Sequence, residues 1–195
     1  MSDTSPREAN AAAAGRGRRT ILLIAAVGLA PIIASYAVYY FFPRGAQTNY
    51  GTLLPTASAP AIEGTTSDGA PFRLSDFRGR WVLLAANPAG CDDACARALH
   101  ATRQARAMQG RDRDRIVRVW LDAGGAPPQP ELRAQHPGLV VARVGASALD
   151  ALPGGPPGIW LIDPLGNLVL SYPGDPDIKG LANDLARVLR ASHIG

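Results

Sequence analysis

Trp81-Val82-Leu83-Leu84-Ala85-Ala86-Asn87-Pro88-Ala89-Gly90-Cys91-Asp92-Asp93-Ala94-Cys95 decides how this chain is read. The first six residues form a continuous apolar run, which suits a central strand buried on both faces. Asn87 to Gly90 has the chemistry of a turn. Cys91 and Cys95 are the chain's two cysteines. Asp92 or Asp93 is placed to cap a helix that runs to about Gln109 and stops at Gly110. One helical turn returns side chains to the same face. The two sulfurs can therefore meet in a disulfide or share a metal ion. Free amide groups and the helix dipole favour a thiolate at such a turn, while Asp92 and Asp93 oppose one. Two thiolates are soft ligands suited to Cu(I). Tetrahedral zinc wants four ligands, and the chain offers no second cysteine pair. The plainer alternative is a structural pair, or one inert disulfide in an oxidising compartment.

Outward from this stretch the chain alternates strands with helices. Upstream, Ala61 to Ser75 reads as a hairpin turned at Asp68-Gly69. Downstream, Ile116 to Leu121 is a second buried strand. Gly124 to Pro130 is a loop, Glu131 to Gln135 one helical turn, Leu139 to Val144 extended, and Ser147 to Leu152 a short helix. Gly154-Gly155-Pro156-Pro157-Gly158 breaks the chain before a second hairpin, Ile159 to Asp163 and Leu168 to Ser171. A last helix, about Asp177 to Ala191, puts Ile178, Leu181, Leu185, Val188 and Leu189 on one face. The order predicts an α/β domain with a mixed central sheet over residues 61–195.

The N-terminal part has another character. Residues 1–19 are rich in Ala, Gly, Ser and Arg and read as a disordered tail. Thr20 to Phe42 carries no charge, and its length matches the ~20 residues of a bilayer span. Pro31 is tolerable within such a helix. Tyr36, Tyr39, Tyr40, Phe41 and Phe42 crowd its far end like an interfacial belt, and Arg16, Arg18 and Arg19 precede it. That pattern predicts an uncleaved anchor in the cell inner membrane, with a cytoplasmic N-terminus and a periplasmic C-terminal domain. A cleaved signal peptide has a shorter apolar core and a small-x-small site at its end. Residues 43–60 read as a tether.

Composition narrows the function. The net charge of +4 comes from arginine, with Lys179 the single lysine. Arginines alternate with acids in Arg111-Asp112-Arg113-Asp114-Arg115, a solvated charged turn and not a nucleic-acid patch.

Taken together, the outer domain resembles the Sco/SenC family of thioredoxin-fold copper proteins that serve cytochrome oxidase assembly. The resemblance spans about Pro60 to Ser192. It rests on Asp68-Gly69, on Phe72 to Leu84, on the Cys91-x-x-x-Cys95 spacing and on Trp120-Leu121-Asp122. His136 to Leu139 and Trp160 to Gly166 extend it. It implies a thioredoxin-like α/β fold behind a membrane anchor, with an oxidase subunit or its assembly factors as partner. It also implies one of two chemistries at Cys91 and Cys95: Cu(I) handling, or thiol–disulfide exchange as an oxidoreductase. A general periplasmic oxidoreductase and a docking module without chemistry are the alternatives.

The chain departs from the family at two places. Asp92 and Ala96 follow the cysteines where the family has nearby prolines, and Gly154 to Gly158 stands where the family places its histidine ligand. Thioredoxin-fold proteins put a cis-proline beside their thiols at the position of Pro157; an ordinary trans bond is the alternative, since cis accounts for ~5–6% of X–Pro bonds. His100, His136 and His193 read as surface histidines and Met108 as core. Asp122 reads as a turn former, or as a group that orients a cysteine or binds a partner, and Trp81, Trp120 and Trp160 as strand packing.

Overall fold

A computed structural model describes residues 6–41, 49–88, 90–124 and 130–192. The chain divides into two compact units between Thr48 and Asn49. The first contains helix α1 (Pro6–Phe41), 36 residues long with Pro31 inside it. The expected disordered tail is corrected here, since the helix already begins at Pro6. The alanines of residues 11–14 explain this, because alanine has the highest helix propensity. Among the described residues no helix is long and apolar enough to cross a membrane. Residues 1–5 of the expected tail and 42–48 of the expected tether lie outside the described residues.

The second unit is built on strand β4 (Trp81–Asn87), every residue of which is buried. Its neighbours are β5 (Ile116–Asp122), parallel to it, and β7 (Gly158–Ile162), antiparallel. Beyond β5 come β6 (Leu139–Arg143), parallel, then β2 (Glu63–Thr66) and β3 (Pro71–Arg73), each antiparallel to its neighbour. Beyond β7 come β8 (Asn167–Pro173) and β1 (Thr52–Ser58), both antiparallel. The resulting eight-stranded mixed sheet has the order β1-β8-β7-β4-β5-β6-β2-β3. The expected α/β architecture is observed.

Alternate side chains of a strand point to opposite faces, so β4 supplies two cores. Trp81, Leu83 and Ala85 meet α2 (Asp93–Ala107) and α5 (Ile178–Ala191) through Leu99, Leu181, Leu185 and Leu189. Val82, Leu84 and Ala86 meet Ile62, Phe72 and Leu74, together with Leu149 of α4 (Ala146–Asp150) and Leu152. The three tryptophans are buried in these cores, as expected. Parallel β4, β5 and β6 place the turns that follow them along one edge of the sheet, where sites gather in α/β folds.

The tether is corrected as well. Residues 52–58 form β1, so the domain starts at Asn49 and not at residue 61. β1 is an exposed edge strand with a register break between Leu53 and Ala57. Pro55 falls inside that break, as expected of a residue that lacks a ladder donor. Sequence pattern alone does not reveal such a strand, because it shows no buried alternation. What fixes it is the buried Asp184 of α5. Its carboxylate accepts from the Tyr50 amide at 3.1 Å and the Gly51 amide at 2.8 Å. Tyr50 stacks on Tyr172 with ring centroids 6.1 Å apart. A Cβ on Gly51 would collide with that Tyr172 ring, so the approach requires glycine.

Asp184→Ala leaves the buried Gly51 amide unpaired. The expected loss is about 1–3 kcal/mol in chemical denaturation, with faster amide exchange at Tyr50 and Gly51. Unchanged exchange at those two amides counts against the clamp.

Candidate functional site

β4 ends at Asn87, and α2 begins six residues later at Asp93. The cysteines sit at this junction and form a disulfide, with S–S 2.05 Å and Cα–Cα 5.0 Å. Cys91 is exposed, whereas Cys95 is 5% exposed and packs into the core beneath the helix. Of the two candidate caps, Asp92 is the one used. Its Oδ1 accepts from the Cys95 amide at 2.9 Å and from Asn87 Nδ2 at 3.2 Å. The last residue of the central strand thereby holds the cap of the helix that carries Cys95. The Cys95 amide holds the Asp92 carboxyl below the usual carboxylate range, and Asn87 adds to the effect.

Two further loops close around the turn. The buried Asp122, at the end of β5, accepts from the Gly124 amide at 2.9 Å. That bond is the one a turn-forming aspartate makes. A Cβ on Gly124 would stand 2.5 Å from the Gly90 nitrogen, so this loop packs backbone against backbone beneath the cysteine turn. On the other side the Pro156–Pro157 peptide is cis, as the thioredoxin-like position of Pro157 implies. Pro157, Cys95, Ala85, Leu99, Trp120 and Gly174 line one small apolar cavity.

The other candidates lie elsewhere. His100 is exposed on α2, and His193 lies outside the described residues. His136 is corrected from surface to buried, at 5% exposed. Burial first, then the charges of Arg118, Arg103 and His100, push it down to about 4, so it is neutral at pH 7. Met108 is corrected from core to 57% exposed, because it caps the C-terminus of α2 and leaves the buried stripe. Among the described residues no group of three His, Cys, Asp or Glu is arranged to hold a metal ion. The soft donor atoms at this turn are the two sulfurs, once reduced.

Sequence reasoning missed the role of Asn87; its position, five residues before a candidate cap, was the available signal. It also missed Arg118, a charge in the middle of the apolar run Ile116 to Leu121.

A mixed sheet with a cysteine pair at the β4–α2 turn and a cis-proline beside it defines a thioredoxin-fold protein. A family model described as transmembrane-like, thioredoxin-like, C-terminal domain matches residues 81–192, and one described as transmembrane-like, N-terminal domain matches residues 13–41. The chain belongs to this transmembrane-like, thioredoxin-like family. No curated protein matches its sequence. Among solved structures it is similar to apo Sco1 of Thermus thermophilus, with 25% identity over 75% of this chain and 99% of that one and a TM-score of 0.55. Copper-bound ScoI of Bradyrhizobium japonicum shares the fold at 17% identity, covering 67% of this chain and 99% of that one, with a TM-score of 0.55. The thioredoxin domain of a thiol-disulfide oxidoreductase from Bacteroides vulgatus does so at 22% identity, 70% and 99% coverage, and a TM-score of 0.52. The Sco-like thioredoxin fold expected from the motifs is therefore present.

Asp92→Asn keeps a capping side chain but removes the negative charge beside the reduced thiols. The expected result is a lower Cys91 thiol pKa, followed by thiolate ultraviolet absorbance in the reduced protein. An unchanged or raised value would show that the Asp92 charge does not reach the sulfur.

Proposed function

We propose that this chain is a membrane-anchored, Sco-like thiol–disulfide exchange protein that assists assembly of a respiratory cytochrome oxidase. The observation that carries the chemistry is the asymmetry of the pair: Cys91 exposed, Cys95 buried directly behind it. In the reduced protein the Cys91 thiolate attacks one sulfur of a partner disulfide. A mixed disulfide forms and the partner's other sulfur leaves as a thiolate. The Cys95 thiolate then attacks the Cys91 sulfur, closing the Cys91–Cys95 disulfide and releasing the second partner thiolate. Two electrons pass to the partner, and the reverse sequence oxidises it.

A second reading, Cu(I) delivery, is favoured by the three-residue gap between the cysteines and by likeness to Sco structures described as copper-bound. Two thiolates suffice for linear Cu(I). The chain puts Gly154 to Gly158 where the family's histidine belongs, which weights the proposal towards exchange.

The anchor is supported by the match of residues 13–41 to a transmembrane-like domain. It is also supported by apolar side chains exposed along α1, among them Ile21, Leu23, Ile24, Val27 and Ile33. Apolar residues on every side of a helix suit a lipid surrounding. The arginines before the run favour a cytoplasmic N-terminus and a periplasmic domain.

Cys95→Ser cannot resolve the mixed disulfide. It should accumulate a covalent adduct through Cys91 that a reductant releases, including one with an oxidase subunit or assembly factor. Absence of any adduct, with oxidase assembly intact in the double-serine variant, would leave docking as the sole activity. Titrating the reduced chain with Cu(I) against a competing chelator separates the second reading: one ion per chain, abolished by Cys91→Ser, supports delivery. No uptake removes it.

A further inference from the structure

Arg118 sits in the middle of β5, on the face it shares with Ile116 and Trp120. It is 2% exposed, and its Nη1 and Nη2 meet no hydrogen-bond partner among the described residues. His136 leaves its buried Nδ1 in the same state. The β5–β6 register sets Arg118 against Leu139, whose amide donates to the His136 carbonyl, so His136 reaches the same place from the turn just before β6. α2 brings two more cations to the same place. Arg106 Nε donates to the Ile116 carbonyl at 2.8 Å, two residues from Arg118. Arg103 Nη1 donates to the Gln135 carbonyl at 2.8 Å, beside His136.

A buried charge is ordinarily paired, because leaving water costs it heavily. Here it faces further positive charge. Burial, then Arg106 and Arg103, draw Arg118 down to about 10, which still leaves it charged at pH 7. Arg106 pairs with Asp114, an exposed residue of the short 3-10 helix before β5 (Gly110–Arg115). No described carboxylate bonds either free nitrogen of Arg118.

We propose that Arg118 and His136, with Arg103 and Arg106 beside them, form a buried binding site for a small tetrahedral oxyanion, phosphate or sulfate. The guanidinium fork matches two oxygens of such an ion, and a neutral His136 with its proton on Nδ1 donates to a third. Loss of the buried charge imbalance is what favours uptake. The α3 turn (Pro130–Gln135) packs Leu132 on the same core and ends at the Arg103 contact, so it covers the site. The ion would brace α2 against β5, well away from the cysteine turn at the other end of the helix. The site does not depend on the proposed exchange chemistry.

The test uses the full chain in detergent micelles, with ionic strength held constant by chloride. Calorimetric titration should give one phosphate per chain, and the Tm should rise with phosphate and level off. Sulfate should compete with phosphate at the site. R118M, similar in length and uncharged, should lose the titration signal and the rise. R118K keeps the charge without the fork and should bind about tenfold more weakly. A Tm response equal in wild type and R118M is salt screening and overturns the proposal, as does a wild type with no saturable binding. Should R118M fail to fold, H136Q replaces it: weaker binding supports the site, and unaltered binding overturns it.

Discussion

Burial of β4 on both faces is the constraint on which the rest of the structure depends. Each of its residues from Trp81 to Asn87 is withdrawn from water. A strand can be so placed only if helices cover one face and other apolar segments the other. α2 and α5 answer on one side; Ile62, Phe72, Leu74 and Leu149 answer on the other. The parallel neighbour β5 follows from the α2 crossover, and the antiparallel β7–β8 hairpin completes the centre of the sheet.

The cysteine turn inherits its geometry from that strand. Asn87 is the last residue of β4 and donates to Asp92, which in turn receives the Cys95 amide. A buried central strand thereby positions the short loop that follows it. Gly124 and Pro157 press in from the neighbouring connections. Cys91 is left outside and Cys95 inside, an asymmetry that suits attack from the partner's side followed by resolution from within. The carboxylate that orders the turn also opposes a thiolate, so holding the cysteines in place and activating them are in tension at Asp92.

Two of the buried charges, Asp184 and Arg118, are held in different ways. Asp184 is fully used: it ties the start of the domain to α5 through two backbone amides. Arg118 is not, since its buried terminal nitrogens meet no acceptor among the described residues. Within one sheet-and-helix layer the buried acid is matched by backbone amides, while the buried guanidinium is not matched among the described residues.

Local pattern was enough for much of this chain. The apolar runs 81–86, 116–121 and 159–163, the turn residues between them, the amphipathic α5 and the four-residue cysteine spacing each carry their own signal, because strand burial, turns and helix faces are set by near neighbours in sequence. The start of the domain was not legible. β1 is exposed and interrupted by Pro55, and only pairing with β8 and the Asp184 clamp make it a strand. Nor were the burial of His136 and the exposure of Met108 legible. Both depend on where α2 and the segment before β6 end up relative to the sheet. Sequence by itself determined the thioredoxin-like architecture and the place of the cysteine pair at its strand-to-helix turn. Tertiary structure alone decided which cysteine is exposed, and which buried cation meets no acceptor among the described residues, since exposure and pairing are properties of residues brought together from distant parts of the chain.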